Sequence, residues 1–173
     1  MRRKTILFGA ICFGLVLPRF TIAAETLGSR ELLARYVIEL QSAPEDQALR
    51  ERIIKLERTL TPSLAVPADA NRFFVKATIF QQEASDIQAS DPLSTSARDF
   101  AIFYYKEALL IAPWWPEAYD GLSRSLEATG RLNEAEAALK LYIVTGPNSV
   151  GASAAEDRLC AIAVKRDQGV AKP

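Results

Sequence analysis

Apolar residues recur along most of the chain at spacings of three and four, and no stretch alternates as a half-buried strand would. The pattern predicts helix almost throughout. A first helix begins behind Ser29 as its N-cap, with Leu32, Leu33, Tyr36, Val37 and Leu40 on one face. Pro44, Glu45 and Asp46 suit the positive start of a second helix, whose stripe is Leu49, Ile53, Leu56 and Leu60. Together they make an N-terminal hairpin over residues 25–61. Residues 62–67, bounded by two prolines, read as a short, stiff linker. A third helix over residues 68–84 carries Phe73, Phe74, Ala77 and Phe80. Residues 85–96 are rich in Ser and Asp around Pro92 and predict an inserted loop. A fourth helix over 97–112 turns Ala101, Tyr105, Ala108 and Leu109 inward, and Pro-Trp-Trp-Pro at 113–116 is a sharp connector. A fifth helix over 116–129 stops at Gly130, and a sixth over 133–145 stops at Gly146-Pro147. Residues 148–167 hold a seventh, capping helix with Leu159, Ile162 and Ala163, and 168–173 read as a disordered tail.

The N-terminus differs from the rest. Arg2, Arg3 and Lys4 precede an apolar run at residues 6–17, followed by Pro18, Arg19 and small residues up to Ala24. Residues 1–24 therefore read as a cleaved signal peptide. A retained membrane anchor is the alternative, but twelve helical residues rise only about 18 Å against a hydrocarbon core of about 30 Å. The expected location is periplasmic or secreted, with no stable membrane span after cleavage. Cleavage removes four basic and no acidic residues, leaving 17 basic against 21 acidic, a net charge of −4. A mildly acidic chain without a basic stripe is a poor partner for nucleic acid. Only Cys160 remains of the two cysteines, so no internal disulfide is expected.

Fixed offsets mark a repeat. Pro113 and Pro147 are 34 residues apart, as are Ala101 and Ala135, Tyr105 and Leu139, and Leu109 and Ile143. Two antiparallel helices approach closely only where one offers the other a small side chain. Ala135 offers that gap, and Tyr119, Leu122, Leu126 and Leu139 fill the space around it. With Gly130 at the turn and Pro147 at the close, the segment 114–147 resembles the tetratricopeptide repeat. Ser123 stands where that repeat has Gly, and Tyr142 where it has a small Ala. A ring at Tyr142 must be met by a smaller partner, which suggests the end of the regular stack. Phe73, Ala77 and Phe80, then Ala101, Tyr105, Ala108 and Pro113, form an earlier, degenerate copy over 68–113. Residues 49–56, 62–67, 108–119 and 138–142 also resemble a group of exported bacterial tetratricopeptide proteins. The resemblance implies an all-α fold: antiparallel hairpins stacked as a short right-handed superhelix of about seven helices.

It also implies where a ligand would lie. In such stacks ligands lie along the concave face of each first helix. Those positions are Asn71, Phe74, Thr78 and Gln81 on the third helix, and Glu117, Asp120, Arg124 and Glu127 on the fifth. The implied partner is a protein or peptide, as a helix or an extended segment. Trp114 and Trp115 are a second candidate contact, for a proline-rich or aromatic ligand; packing at the joint between hairpins is the plainer reading. Cys160 reads as buried filler on an apolar face.

No catalytic residue, metal site or cofactor is expected. The chain has no histidine, which removes the commonest general base and zinc ligand. Glu134/Glu136 and Glu156/Asp157 are too close in sequence to face one another on a helix. Two functional readings follow, neither enzymatic. One is an adaptor of the bacterial envelope that holds a partner protein. The other is a structural subunit that pairs with itself as a homo-oligomer.

Overall fold

The computed structural model describes residues 19–88 and 91–170, with side chains within 28–88 and 91–168. Among the described residues there are seven helices and no strand: α1 (Arg19–Ser42), α2 (Gln47–Glu57), α3 (Ala68–Asp86), α4 (Pro92–Ile111), α5 (Pro116–Ala128), α6 (Leu132–Thr145) and α7 (Val150–Val170). No described helix is long and apolar enough to cross a membrane. The basic head and apolar run expected as a signal peptide lie in residues 1–18, outside the described residues.

Each turn has a local cause. Asp46 caps α2 by accepting from the Leu49 amide at 2.9 Å. Gly130 adopts φ +74°, a left-handed geometry that costs glycine little, and the Arg131 amide then closes back on the Leu126 carbonyl at 2.9 Å. Two helices differ from expectation at their ends. α1 runs continuously through Ser29, which is therefore not its N-cap. α7 continues to Val170, through the first residues of the expected tail.

The loop expected over 85–96 is much shorter. α3 extends to Asp86 and α4 starts at Pro92, leaving 87–91 as the connection. Asp91 accepts from the Leu93 amide at 2.9 Å and Pro92 opens the first turn, a strong start signal inside a loop-like composition. Ser94 is buried and donates to the Ala84 carbonyl at 3.0 Å, while Arg98 reaches that carbonyl at 3.3 Å. The free carbonyls at the end of α3 are thus met by the start of α4. The extra residues lengthen this hairpin rather than bulge from it.

α3 pairs with α4 and α5 with α6; α4 and α3 both meet α5, and α6 meets α7. Small residues set the spacing. Ala70, Ala77 and Ala84 recur every seven residues on α3, and Ala97, Ala101 and Ala108 answer from α4, all buried. Ala101 and Ala135 are both at 0% exposure, in the core between their helices. Tyr105, Tyr119, Leu122, Leu126, Leu139 and Ile162 fill the main core around them.

The N-terminal hairpin packs against α4 and α6. Its contacts run from α2 to α6 and from α1 to α4. Leu33, Leu40, Leu49, Ile53 and Leu60 form a second core with Leu110 and Trp114, and Ile54 enters the main one. Polar ties reinforce the seat. Arg50, 7% exposed, donates to the Pro44 carbonyl at 2.7 Å and to the Leu109 carbonyl at 3.1 Å, at the negative end of α4. Arg58 donates to the Val144 carbonyl at 3.1 Å, and Lys106 bridges Glu45 and Glu134 at 3.4 and 3.1 Å.

Candidate functional site

A cleft of about 510 Å³ opens between α3, α5 and the turn after α6. Phe74 and Gln81 come from α3, three residues before and four after buried Ala77, so they share the face turned toward α5. Glu117, Asp120 and Arg124 come from α5 and Tyr142, Thr145 and Ser149 from the far wall. Tyr105 of α4 forms part of the floor.

Tyr105 is fixed from three sides. Its hydroxyl donates to Gln81 Oε1 at 2.5 Å and its ring meets Phe74 edge-on at 5.7 Å. Gly121 passes so close that a Cβ there would overlap the ring. Burial pushes the Tyr105 phenol up to about 12; the Asp120 charge adds to the rise and Arg124 offsets part of it. The hydroxyl is therefore a neutral donor across physiological pH, not a base.

Arg158 ties α7 to the α5 wall. It donates to Glu127 at 3.0 Å, to Asp120 at 2.7 Å and to the Ser123 hydroxyl at 2.8 Å. Arg124 holds the other Asp120 oxygen at 3.0 Å. Ser123 supplies an acceptor to α7. Tyr142 likewise finds its small partner in Gly151, where an added Cβ would strike the Tyr142 hydroxyl.

Of the expected concave-face positions, the structure gathers Phe74, Gln81, Glu117, Asp120 and Arg124 around one cleft. Glu127 is taken up by Arg158 and does not line it. Thr78 turns its hydroxyl to the Val75 carbonyl at 2.8 Å. Asn71 lines a separate depression with Asp69, Arg72, Phe73 and Lys76. The tryptophans have divided duties. Trp115 lies 4.4 Å from the Phe74 ring and stiffens the cleft wall. Trp114 packs into the N-terminal core, with its indole Nε1 buried and without a hydrogen-bond partner. Cys160 is exposed, contrary to its expected burial, because it falls outside the stripe of Leu159 and Ile162 that meets the core.

Tyr105, Tyr142, Ser149 and Arg158 were not among the expected site residues. The seven-residue offset between Glu127 and Asp120 marks one face of α5, but pairing with a helix more than thirty residues away leaves no periodic trace. The cleft offers aromatic surface, one exposed guanidinium and several neutral donors and acceptors. It assembles no nucleophile beside a base. Among the described residues no group of three or more Cys, Asp or Glu side chains could hold a metal ion. No family model matches the chain, and neither curated proteins nor solved structures yield a match.

Proposed function

We propose that the protein is a non-enzymatic adaptor of the bacterial cell envelope, built on tetratricopeptide-type hairpins, that holds a peptide or helix of a partner protein in the cleft between α3 and α5. The observation that carries this reading is the convergence of Phe74, Gln81, Asp120 and Arg124 on one cleft with an aromatic floor. Its walls are pre-formed by Trp115 against Phe74 and by Arg158 against Asp120, so little ordering is required on binding. Aromatic floor and mixed polar rim suit a side chain of Leu, Met or Phe size inserted from a backbone that bonds to the rim. Pairing of α3 with α4 and α5 with α6, with contact between the first helices α3 and α5, supports the reading as stacked hairpins. The basic head and apolar run at the N-terminus support export to the periplasm or beyond.

The test is affinity capture from envelope extract, followed by calorimetric titration of the captured partner. Arg124→Ala, at an exposed position, should weaken binding about tenfold, and Phe74→Ala with Arg124→Ala by about thirtyfold or more. Unchanged affinity in both variants, with unchanged circular dichroism, would remove the cleft as the binding site.

A further inference from the structure

The α3–α4 hairpin has two flanks. One receives α5, and no described helix packs on the other. That free flank carries a continuous aromatic row. Phe73 stacks on Tyr104 at 6.2 Å, Tyr104 on Phe80 at 5.6 Å, and Phe80 meets Phe100 at 5.2 Å. Phe103 abuts Tyr104 at 5.2 Å. Phe100 is 53% exposed, Phe103 52% and Leu93 66%, an unusual expenditure of apolar surface on one edge.

We propose that this flank is the interface of a two-fold dimer, in which α3 and α4 of two copies close into a four-helix bundle with the aromatic rows facing. Charge placement selects a second copy as the occupant. Lys76 and Glu83 are seven residues apart on the same face of α3, evenly spaced about its middle at Ile79 and Phe80. With the two-fold axis crossing the helices at the level of Phe80 and Phe100, antiparallel α3 helices bring each Lys76 opposite the other copy's Glu83. Neither side chain has an ion-pair partner among the described residues; Lys76 lies over its own Phe73 and Tyr104 rings at 5.9 and 5.3 Å.

Area and closure agree. The exposed parts of Ile79, Leu93, Phe100 and Phe103, with the open faces of Phe73, Phe80 and Tyr104, come to roughly 500 Å² per copy, so two copies reach roughly 1,000 Å², the lower bound for a specific interface. The opposite end of the stack is a poorer match. α7 presents exposed Glu156, Asp157, Lys165 and Asp167 and only Val150 and Val164 as large exposed apolar side chains, so head-to-tail growth would set an aromatic row against a mostly charged surface. Phe74 and Gln81 point from α3 to the other side, so both clefts of the dimer stay open. A ligand with two binding segments would then gain by effective concentration.

Sedimentation velocity over a concentration series tests this on the protein as purified from cells, with its N-terminus read by mass spectrometry. The expected result is a species of two chains. Phe100→Lys should shift it to one chain with unchanged circular dichroism. Lys76→Glu should raise the dissociation constant about tenfold or more, and adding Glu83→Lys should recover most of the loss. That recovery cannot come from mere loss of folding. A single chain up to about 100 μM, a dimer indifferent to both Phe100→Lys and the charge reversal, or open-ended assembly would each overturn the proposal.

Discussion

Gly121→Ala sets two known quantities against each other. In an exposed helix the change stabilises by about 1 kcal/mol, because glycine loses more backbone freedom on folding. Here the added Cβ would fall on the tip of the Tyr105 ring. That ring is 1% exposed and held by Gln81 and Phe74, so it yields only by tilting toward the cleft and stretching its hydrogen bond. An overlap this deep belongs at the upper end of the range, about 1–3 kcal/mol, that overpacking costs, so the net expectation is a loss of about 1–2 kcal/mol. Urea unfolding followed by circular dichroism measures it. Repeating the substitution in a Tyr105→Leu background removes the ring tip, and the same change should then stabilise by a few tenths of a kcal/mol or more. The reasoning fails if Gly121→Ala is neutral or stabilising with Tyr105 in place, or if its effect keeps the same sign in both backgrounds.

Arg158→Ala should cost about 2 kcal/mol, since it strands partly buried Glu127 and leaves Asp120 with Arg124 alone; a shift in the urea midpoint corresponding to less than about a quarter of that would show that α7 docks by apolar packing alone. Glu134 titrates below the usual carboxylate range, held there first by its hydrogen bonds to Arg131 and then by Lys106. A depressed folded pKa adds stability above the unfolded value and loses it as pH falls through the folded one, so a decline should begin below about pH 4.5 and be shallower in Glu134→Gln. Identical acid-unfolding curves for the two proteins would refute this.

The helices and their small contact residues are legible in the chain because they are set by local spacing. Ala77, Ala101 and Ala135 can be placed without any tertiary information, as can the stop at Gly130. The loop expected over 85–96 shows where composition misleads. Ser, Asp and Pro dominate both loops and helix starts, and only Asp91 accepting from Leu93, together with Ser94 reaching Ala84, separates the two. The cleft was half legible: Phe74, Gln81, Asp120 and Arg124 follow from helical faces. Glu127 lies outside the cleft lining because Arg158 of α7 binds it, and the seat of the N-terminal hairpin was invisible because no periodicity records which helix packs on which. Cys160 missed its expected burial by a single step around α7.

The seat of α1 and α2 against α4 and α6 bears on how such a molecule would evolve. Leu49, Ile53, Arg50 and Arg58 hold α4 and α6, one from each of the α3–α4 and α5–α6 pairs, and so act as a clasp that fixes the tilt between them. The gap between α3 and α5 on the far side inherits its width from that tilt. Substitutions in the clasp would therefore retune what fits the gap while leaving every residue lining it unchanged, and selectivity could drift through a surface that no ligand ever touches.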